Sequence, residues 1–249
     1  MFNDARYEPF SSVSIAVSRS KRVVTAPEAT DRLETNPYDA MVSKPRTLHV
    51  DDAVQLEAEV AVATGAPRAA AVLCHPHPQY GGTMRSIVIS ALFEALPERG
   101  VTCLRFNFRG VEASTGFFDE GRGERADAAV ALDTLSTEVD AALPLVVAGW
   151  SFGADVTLSL VDDRVRAWLA IAPPLHFTGD RAPVADDPRP KRLVLAEHDE
   201  VRAPEEVERA VTDWQATTLE IVPGASHFFV GRTDHVIAAA DRLIGEVAR

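Results

Sequence analysis

Cysteine is scarce in this chain, which has only two among 249 residues, Cys74 and Cys103. Each lies in an apolar run typical of a buried strand. We therefore expect both cysteines to be small, buried hydrophobic residues in a reducing cytoplasm.

Long hydrophobic runs are also absent, and no run approaches the roughly 20 residues of a membrane span. The first residues show no basic segment followed by an apolar one, so we expect no secretory signal. The net charge of −12 disfavours nucleic acid as a partner. No Walker A or dinucleotide-binding glycine pattern occurs. From these absences we expect a cytoplasmic protein without a cofactor, and we leave open whether it forms a homodimer.

The first 45 residues differ in composition from the rest of the chain. Four prolines, Pro9, Pro27, Pro37 and Pro45, are spread through them, and only residues 13–17 alternate as a short strand would. We predict a poorly ordered N-terminal arm over residues 1–45, followed by one catalytic domain over residues 46–249. A peripheral strand, a dimer arm and a misassigned translation start remain alternatives for this segment.

Beyond the arm, apolar strand-like runs alternate with helical patterns. This alternation predicts an α/β fold with a mostly parallel sheet and helices on both faces. We predict strands at 55–63, 69–74, 101–106, 145–148, 165–171, 192–196 and 217–222, and helices at 83–96, 124–139, 152–161, 204–214 and 233–247.

One stretch carries the strongest chemical signal: Leu145-Val-Val-Ala-Gly149-Trp-Ser151-Phe-Gly153. It has the G-x-S-x-G pattern between a strand and a helix, which is the context of a nucleophile elbow. Glycines let strand and helix approach closely around a serine held in a strained turn. The N–H of Phe152 would then point to where an oxyanion forms. An ordinary glycine-rich turn is the alternative.

A nucleophilic serine needs a base and a group that orients the base. Of the histidines, His227 follows the last predicted strand, at the sheet edge where functional groups of parallel sheets gather. His49, His176, His198 and His235 fit less well by position. Asp199 is the favoured acid, with Glu197 and Glu200 as competitors. The chain order Ser151, Asp199, His227 is the order of the α/β-hydrolase triad.

These residues make the chain resemble the small bacterial α/β hydrolases of the dienelactone-hydrolase-like serine hydrolases. Three further stretches carry the resemblance, at residues 74–84, 105–114 and 117–124. The resemblance covers the chain from about Thr47 onward and implies an α/β-hydrolase fold. A lid is normally inserted after the strand that follows the elbow helix, and here only residues 175–190 are available, too few for a lid domain. One departure is Glu112, which stands where the family usually has glycine and puts the shape of its loop in doubt.

The stretch Cys74-His75-Pro76-His77-Pro78 resembles the family's oxyanion loop. Proline has no N–H, so His77 is the favoured second oxyanion donor. We disfavour a metal at His75 and His77, because no further ligand follows nearby and prolines restrict the geometry.

Several aromatic side chains near these motifs are candidates for an apolar cleft wall, although each is equally compatible with the core. The substrate-binding candidates are Trp150, Tyr80 and Phe228, with Phe152 and Phe229 also considered. Asn107, Arg109 and Asp119 are expected to brace loops.

The sequence thus predicts a serine hydrolase that cleaves a carboxylic ester or a related acyl bond through an acyl-enzyme. A thioesterase, a peptidase and an acyltransferase use the same residues. A non-catalytic ligand-binding or regulatory member of the fold is the alternative from another class.

Overall fold

A computed structural model describes residues 43–178 and 181–248 of the chain. Most of the predicted arm, including the short strand at 13–17, lies outside the described residues. The boundary at residue 46 differs from the structure, because residues 43–45 already pair with residues 59–61 in an antiparallel ladder. This additional first strand was not predicted, since its residues alternate only weakly between apolar and polar.

Within the described residues, eight strands form a single sheet in the order β1-β2-β4-β3-β5-β6-β7-β8. The β1–β2 and β2–β4 pairs are antiparallel, and all the other pairs are parallel. The strands are β1 (Ser43–His49), β2 (Gln55–Ala61), β3 (Ala69–Cys74), β4 (Val101–Phe106), β5 (Leu145–Trp150), β6 (Val165–Ile171), β7 (Lys191–His198) and β8 (Thr217–Ser226).

The described ranges also contain five α-helices, which follow the pattern of crossover connections and pack on the two faces of the sheet. They are α1 (Ile87–Ala95), α2 (Arg122–Glu138), α3 (Phe152–Ser159), α4 (Pro204–Ala210) and α5 (Thr233–Val247). Among the described residues, the β6–β7 connection contains only a 3₁₀ turn, Pro183–Asp186, so there is no separate lid domain.

The core is divided by the sheet, because successive residues of a strand point to opposite faces. In β5, Leu145 and Val147 belong to the core cluster that includes side chains of α2, α3 and α4, whereas Val146, Ala148 and Trp150 belong to the cluster that includes side chains of α1 and α5. Since both faces are covered, the central strands are apolar throughout. This is the reason that they were readable from sequence as continuous apolar runs.

Several element boundaries differ from the predicted ones. Helix α1 starts at Ile87 instead of residue 83, because the preceding residues form a turn in which the Thr83 N–H donates to Ser86 Oγ at 3.0 Å. Strand β8 continues past residue 222 to Ser226, which pairs with His198 of β7. Helices α3 and α4 end earlier than predicted, at Ser159 and Ala210.

The carboxyl ends of the parallel strands meet at one edge of the sheet. That edge receives His75 after β3, Ser151 after β5, Asp199 after β7 and His227 after β8. The sheet topology therefore brings together residues that are up to 152 positions apart in sequence. Within the part of the chain that the structure describes, no helix has the length and apolar character to cross a membrane.

Candidate active site

Ser151 lies in a strained turn between β5 and α3. Its backbone φ is 55° and its ψ is −121°, a conformation that residues other than glycine rarely adopt. The Ser151 N–H donates to the carbonyl of Ile171 at 2.8 Å, which ties the turn to the neighbouring strand. A strained backbone of this kind costs about 1–3 kcal/mol and persists only when its surroundings fix it.

The two glycines around Ser151 allow this turn to close. A Cβ on Gly149 would lie 2.1 Å from the Gly153 carbonyl oxygen, and one on Gly153 would lie 2.2 Å from the Cys74 carbonyl oxygen. Both distances are far below van der Waals contact. Glycine is therefore required at both positions for β3, β5 and α3 to approach one another.

A continuous hydrogen-bonded chain joins the three residues predicted as the triad. His227 Nε2 lies 2.9 Å from Ser151 Oγ, and His227 Nδ1 lies 2.9 Å and 3.0 Å from the two carboxylate oxygens of Asp199. The side chains of His227 and Asp199 are 6% and 5% exposed, so this contact is shielded from water. The geometry is that of a nucleophile, a base and an orienting acid.

The competing carboxylates have different contacts. Glu197 Oε2 accepts a hydrogen bond from the Gly224 N–H at 2.7 Å, and Glu200 Oε2 accepts one from the His227 N–H at 3.2 Å. Asp199 is itself held by the N–H groups of Val201 and Arg202, at 2.9 Å and 3.1 Å. All three acids thus fix the loop that carries His227, but only Asp199 contacts its imidazole.

The imidazole of His75 is buried and hydrogen-bonded within the protein. Its Nε2 accepts the Phe108 N–H at 3.0 Å, so the proton of the neutral ring is on Nδ1, which donates to the Pro76 carbonyl at 2.6 Å. Complete burial lowers the pKa of His75 to about 3. Both ring nitrogens are used by the protein, and the described residues contain no cluster of three His, Cys, Asp or Glu side chains suited to a metal.

The two amides predicted as oxyanion donors have no acceptor in the part of the protein that the structure describes. Neither the Phe152 N–H nor the His77 N–H donates to another described residue. The Phe152 amide is the first of helix α3 and follows Ser151 directly. The His77 and Phe152 rings lie 5.1 Å apart, so the loop after β3 does reach the elbow.

The predicted aromatic wall is only partly exposed. Tyr80 and Phe228 are 76% and 50% exposed, whereas Trp150 is 3% exposed. The Trp150 indole N–H donates to the His227 carbonyl at 3.1 Å, so this side chain supports the loop of His227 instead of facing a cleft. Phe152 and Phe229 are also buried, as their places in apolar runs allowed.

Asp155 is a residue that sequence reasoning missed. Its buried carboxylate, on the first turn of α3, accepts the N–H groups of Leu175, His176 and Phe177 at 2.9, 2.7 and 2.9 Å. Burial raises the pKa of Asp155 to about 6, although the three amide donors act in the opposite direction. The available signal was an aspartate inside an otherwise apolar helix, four residues after the nucleophile.

Glu112 adopts a left-handed backbone with φ of 48°, which explains why glycine is suited to this position. Its carboxylate accepts hydrogen bonds from Asn107 Nδ2 at 2.8 Å and from Arg85 at 3.2 Å. The loop therefore forms its turn with a glutamate at this position. Asn107 also braces its neighbours as predicted, because its Oδ1 accepts the Met84 N–H at 2.8 Å.

Arg109 and Asp119 brace the following loop. The guanidinium of Arg109 forms an ion pair with the buried Asp127 carboxylate. Its Nη2 and Nε donate to Asp127 Oδ1 at 2.7 and 3.1 Å. The Asp119 N–H donates to the buried carboxylate of Glu124 at 2.8 Å. These contacts confirm the structural role expected for Asn107, Arg109 and Asp119.

Comparison with known proteins identifies the family of this chain. A family model described as an alpha/beta hydrolase domain matches residues 68–248. The chain is 34% identical over 190 residues to the uncharacterised protein RP471 of Rickettsia prowazekii, a match that covers 72% of this chain and 80% of that protein.

Solved structures show the same fold. An alpha-beta serine hydrolase homologue from Coxiella burnetii is 31% identical, with a TM-score of 0.73 and coverage of 82% of this chain and 97% of that one. XC6422 from Xanthomonas campestris, described as an a/b serine hydrolase without lid, is 28% identical, with a TM-score of 0.72 and coverage of 82% and 94%. The resemblance found in the sequence is thereby confirmed, and this chain belongs to the alpha/beta hydrolase family.

Proposed function

We propose that this protein is a serine hydrolase that cleaves carboxylic esters of small acyl compounds through an acyl-enzyme. The observation that carries the proposal is the hydrogen-bonded chain from Ser151 through His227 to Asp199, with contacts of 2.9 Å at each step. Chance packing rarely aligns these three side chains at the end of a strained elbow.

In the first half-reaction Ser151 Oγ attacks the ester carbonyl carbon while His227 Nε2 takes the hydroxyl proton. The His227 Nδ1–H donates a hydrogen bond to the Asp199 carboxylate, which fixes the tautomer of the imidazole and stabilises the imidazolium. The tetrahedral oxyanion is bound by the free N–H groups of Phe152 and His77. The imidazolium then returns its proton to the leaving alcohol, and the acyl group stays on Ser151.

In the second half-reaction a water molecule takes the place of the alcohol. His227 accepts a proton from the water as its oxygen attacks the acyl carbon, and the same two amides bind the new oxyanion. Collapse of this intermediate releases the carboxylic acid and returns the proton to Ser151. No cofactor takes part in this scheme.

The site is placed for compounds that reach it directly from solvent. The β6–β7 connection provides no lid domain, and Tyr80 and Phe228 expose apolar surface at the same edge. We propose that the protein cleaves small acyl esters. We also propose that it works in a reducing cytoplasm, in agreement with the two buried free thiols, Cys74 and Cys103.

The experiment compares three acyl donors with one butyryl group: p-nitrophenyl butyrate, butyryl p-nitroanilide and a butyryl thioester. We expect the ester to have the highest kcat/KM, and the Ser151→Ala variant to abolish turnover and labelling by a fluorophosphonate probe. Preferred cleavage of the thioester or the anilide would replace esterase by thioesterase or peptidase. Absence of labelling in the wild-type protein would favour a non-catalytic binding role.

A further inference from the structure

The side chain of His77 lies inside a group of aromatic rings, which we name the aromatic cluster: His77, Tyr80, Phe118, Phe152 and Phe177. The His77 ring centroid is 4.7 Å from Tyr80, 4.8 Å from Phe118, 5.1 Å from Phe152 and 5.6 Å from Phe177. These separations are in the range of favourable aromatic contacts. The cluster borders the nucleophile, because Phe152 directly follows Ser151.

Only the base of the aromatic cluster is buried. Phe152 is 1% exposed, whereas Tyr80 is 76% exposed and His77, Phe118 and Phe177 are partly exposed. Ring surface of the cluster is therefore open to solvent, and the buried Phe152 ring connects this surface to the residue that follows Ser151. Exposed aromatic surface of this kind next to a catalytic group is suited to binding an apolar part of a ligand.

The imidazole of His77 adds one directed polar group. Its Nδ1 accepts the Gln79 N–H at 3.2 Å, so the proton of the neutral ring is on Nε2. Burial, with a smaller effect from His176, lowers the pKa of His77 and favours this neutral form. The Nε2–H donates to none of the described residues, which leaves it available to an acceptor on a bound molecule.

The segment that carries Phe177 is held in place before any ligand binds. Asp155 accepts three consecutive amides from residues 175–177, and Arg125 donates to the Phe177 carbonyl at 3.3 Å. The Phe177 ring packs edge-on against Phe152 at 5.0 Å. A wall fixed by a buried carboxylate requires little ordering when a ligand binds, which favours affinity.

The sheet topology assigns a side of the ester to the aromatic cluster. Ser151 follows β5; His227 and Asp199 follow β8 and β7 on one side of it, and the loop of His77 follows β3 on the other. The leaving alcohol must lie beside His227, since this residue protonates it. The acyl group therefore extends towards β3 and the aromatic cluster.

We propose that the aromatic cluster is an acyl subsite that prefers an aromatic ring in the acyl group of the ester. This assignment rests on the proposed esterase function and adds the class of its substrate. The ring of the acyl group packs against Tyr80, Phe118 and Phe177, and the His77 Nε2–H donates to an acceptor on that group.

The test uses p-nitrophenyl 3-phenylpropanoate and p-nitrophenyl 3-cyclohexylpropanoate. The two esters share a leaving group, a saturated carbon next to the carbonyl and nearly the same size, so they differ mainly in the aromaticity of the ring. We expect the wild-type kcat/KM to favour the phenyl ester about 3- to 10-fold, the range of aromatic pair contacts converted to a rate ratio.

Two variants and one control complete the test. Phe177→Leu and Tyr80→Leu should each bring the ratio of kcat/KM values towards one, and Tyr80→Leu does so at an exposed position where folding is little affected. Phe117→Leu is the matched control, since Phe117 is 89% exposed and makes no ring contact with the aromatic cluster within the described ranges. Its ratio should equal that of the wild type.

The outcomes separate the subsite from the proposed function. A wild-type ratio near one, or a ratio that neither Phe177→Leu nor Tyr80→Leu lowers, overturns the aromatic acyl subsite and leaves the esterase function standing. Absence of hydrolysis of both esters by the wild-type protein overturns the esterase function and the subsite with it. A preference of 3-fold or more that falls in the two variants and persists in Phe117→Leu supports the subsite.

Discussion

At the scale of single residues, the chemistry depends on which carboxylate meets the imidazole. Asp199 and Glu197 are two positions apart, yet Asp199 contacts His227 Nδ1 while Glu197 binds the Gly224 amide. Asp199→Asn removes the charge that fixes the His227 tautomer, so we expect kcat to fall by roughly 10³- to 10⁴-fold, the scale known for the corresponding change in a serine protease. Steady-state kinetics with p-nitrophenyl butyrate measure this loss.

Glu197→Gln is the control for this change, because glutamine still offers an oxygen to the Gly224 N–H. We expect its kcat to stay within about 10-fold of wild type, since only the loop contact is altered. Equal losses in the two variants would contradict the role assigned to Asp199.

A second residue-scale prediction concerns His75 and the pH dependence of stability. Its folded pKa is lowered to about 3 by burial, whereas histidine in an unfolded chain has a pKa of roughly 6.5. Between these values only the unfolded chain binds the proton, so this group's stabilisation is complete above pH 6.5 and is lost as the pH falls towards 3. In this range the free energy of unfolding falls by up to about 1.4 kcal/mol for each pH unit.

His75→Gln removes this titration. We expect the variant to be less stable at pH 7 but to lose stability less steeply than the wild type between pH 6 and pH 4. Urea unfolding at several pH values measures the free energy of unfolding. Parallel curves for the two proteins would show that His75 does not titrate as its burial requires.

At the scale of elements, the elbow depends on three pieces of backbone packed without side chains between them. Gly153→Ala places a Cβ 2.2 Å from the Cys74 carbonyl oxygen, which must separate α3 from β3. We expect a loss of more than about 3 kcal/mol in the free energy of unfolding, or failure to fold. Gly245→Ala in α5 is the matched control, because outside its own helical backbone no atom of the described residues lies within 4 Å of the added Cβ.

In this control the helix gains an alanine in place of a glycine, so the free energy of unfolding should rise by about 0.5–1 kcal/mol. Thermal and urea unfolding compare the two variants. A mild effect of Gly153→Ala would mean that the elbow tolerates a wider spacing than the structure shows.

The loop after β6 gives a second element-scale prediction. Asp155→Asn replaces one carboxylate oxygen by an NH₂ group that cannot accept an amide, so at least one of the three bonds to residues 175–177 is lost. We expect about 1–3 kcal/mol of destabilisation. The preference for the phenyl ester over the cyclohexyl ester should also fall, because Phe177 is no longer fixed.

The exposed Asp163 provides the control, since Asp163→Asn alters a carboxylate outside this loop. It should change neither stability by more than about 0.5 kcal/mol nor the ester preference. A stable Asp155→Asn protein with unchanged ester preference would argue that residues 175–177 are held by other contacts.

At the scale of the whole molecule, every residue assigned to the site lies in the described domain. We therefore expect a chain that starts at Ser43 to fold and to keep its kcat/KM within about twofold of the full chain. A chain that starts at Val50 lacks β1, including the buried Leu48, whose burial alone contributes about 1.5–3 kcal/mol. It also exposes the edge of β2, which favours aggregation.

Circular dichroism melting and ester hydrolysis compare the full chain with the two shortened ones. Lost activity with unchanged melting in the chain that starts at Ser43 would mean that residues 1–42 reach the site or build a required dimer. Equal melting of all three chains would show that β1 adds little to the sheet.

The sequence by itself determined the apolar central strands and the position of the elbow. Strands buried on both faces must be apolar throughout, and the elbow needs glycines and serine at fixed local spacing, so both signals are contained in a few adjacent residues. The order Ser151, Asp199, His227 was also readable, because the carboxyl ends of parallel strands must share one edge.

The tertiary structure decided what distant segments do to one another. The sequence around Asp199 and Glu197 does not distinguish which of them contacts the histidine. The fold of the neighbouring loop decides this, because it brings the His227 imidazole to Asp199 and the Gly224 amide to Glu197. Trp150 became a support for His227 because its strand side faces α5, and Asp155 acquired its role from a loop 20 residues away. These contacts cannot be predicted from the local sequence pattern, since each depends on how the sheet and its loops fold together.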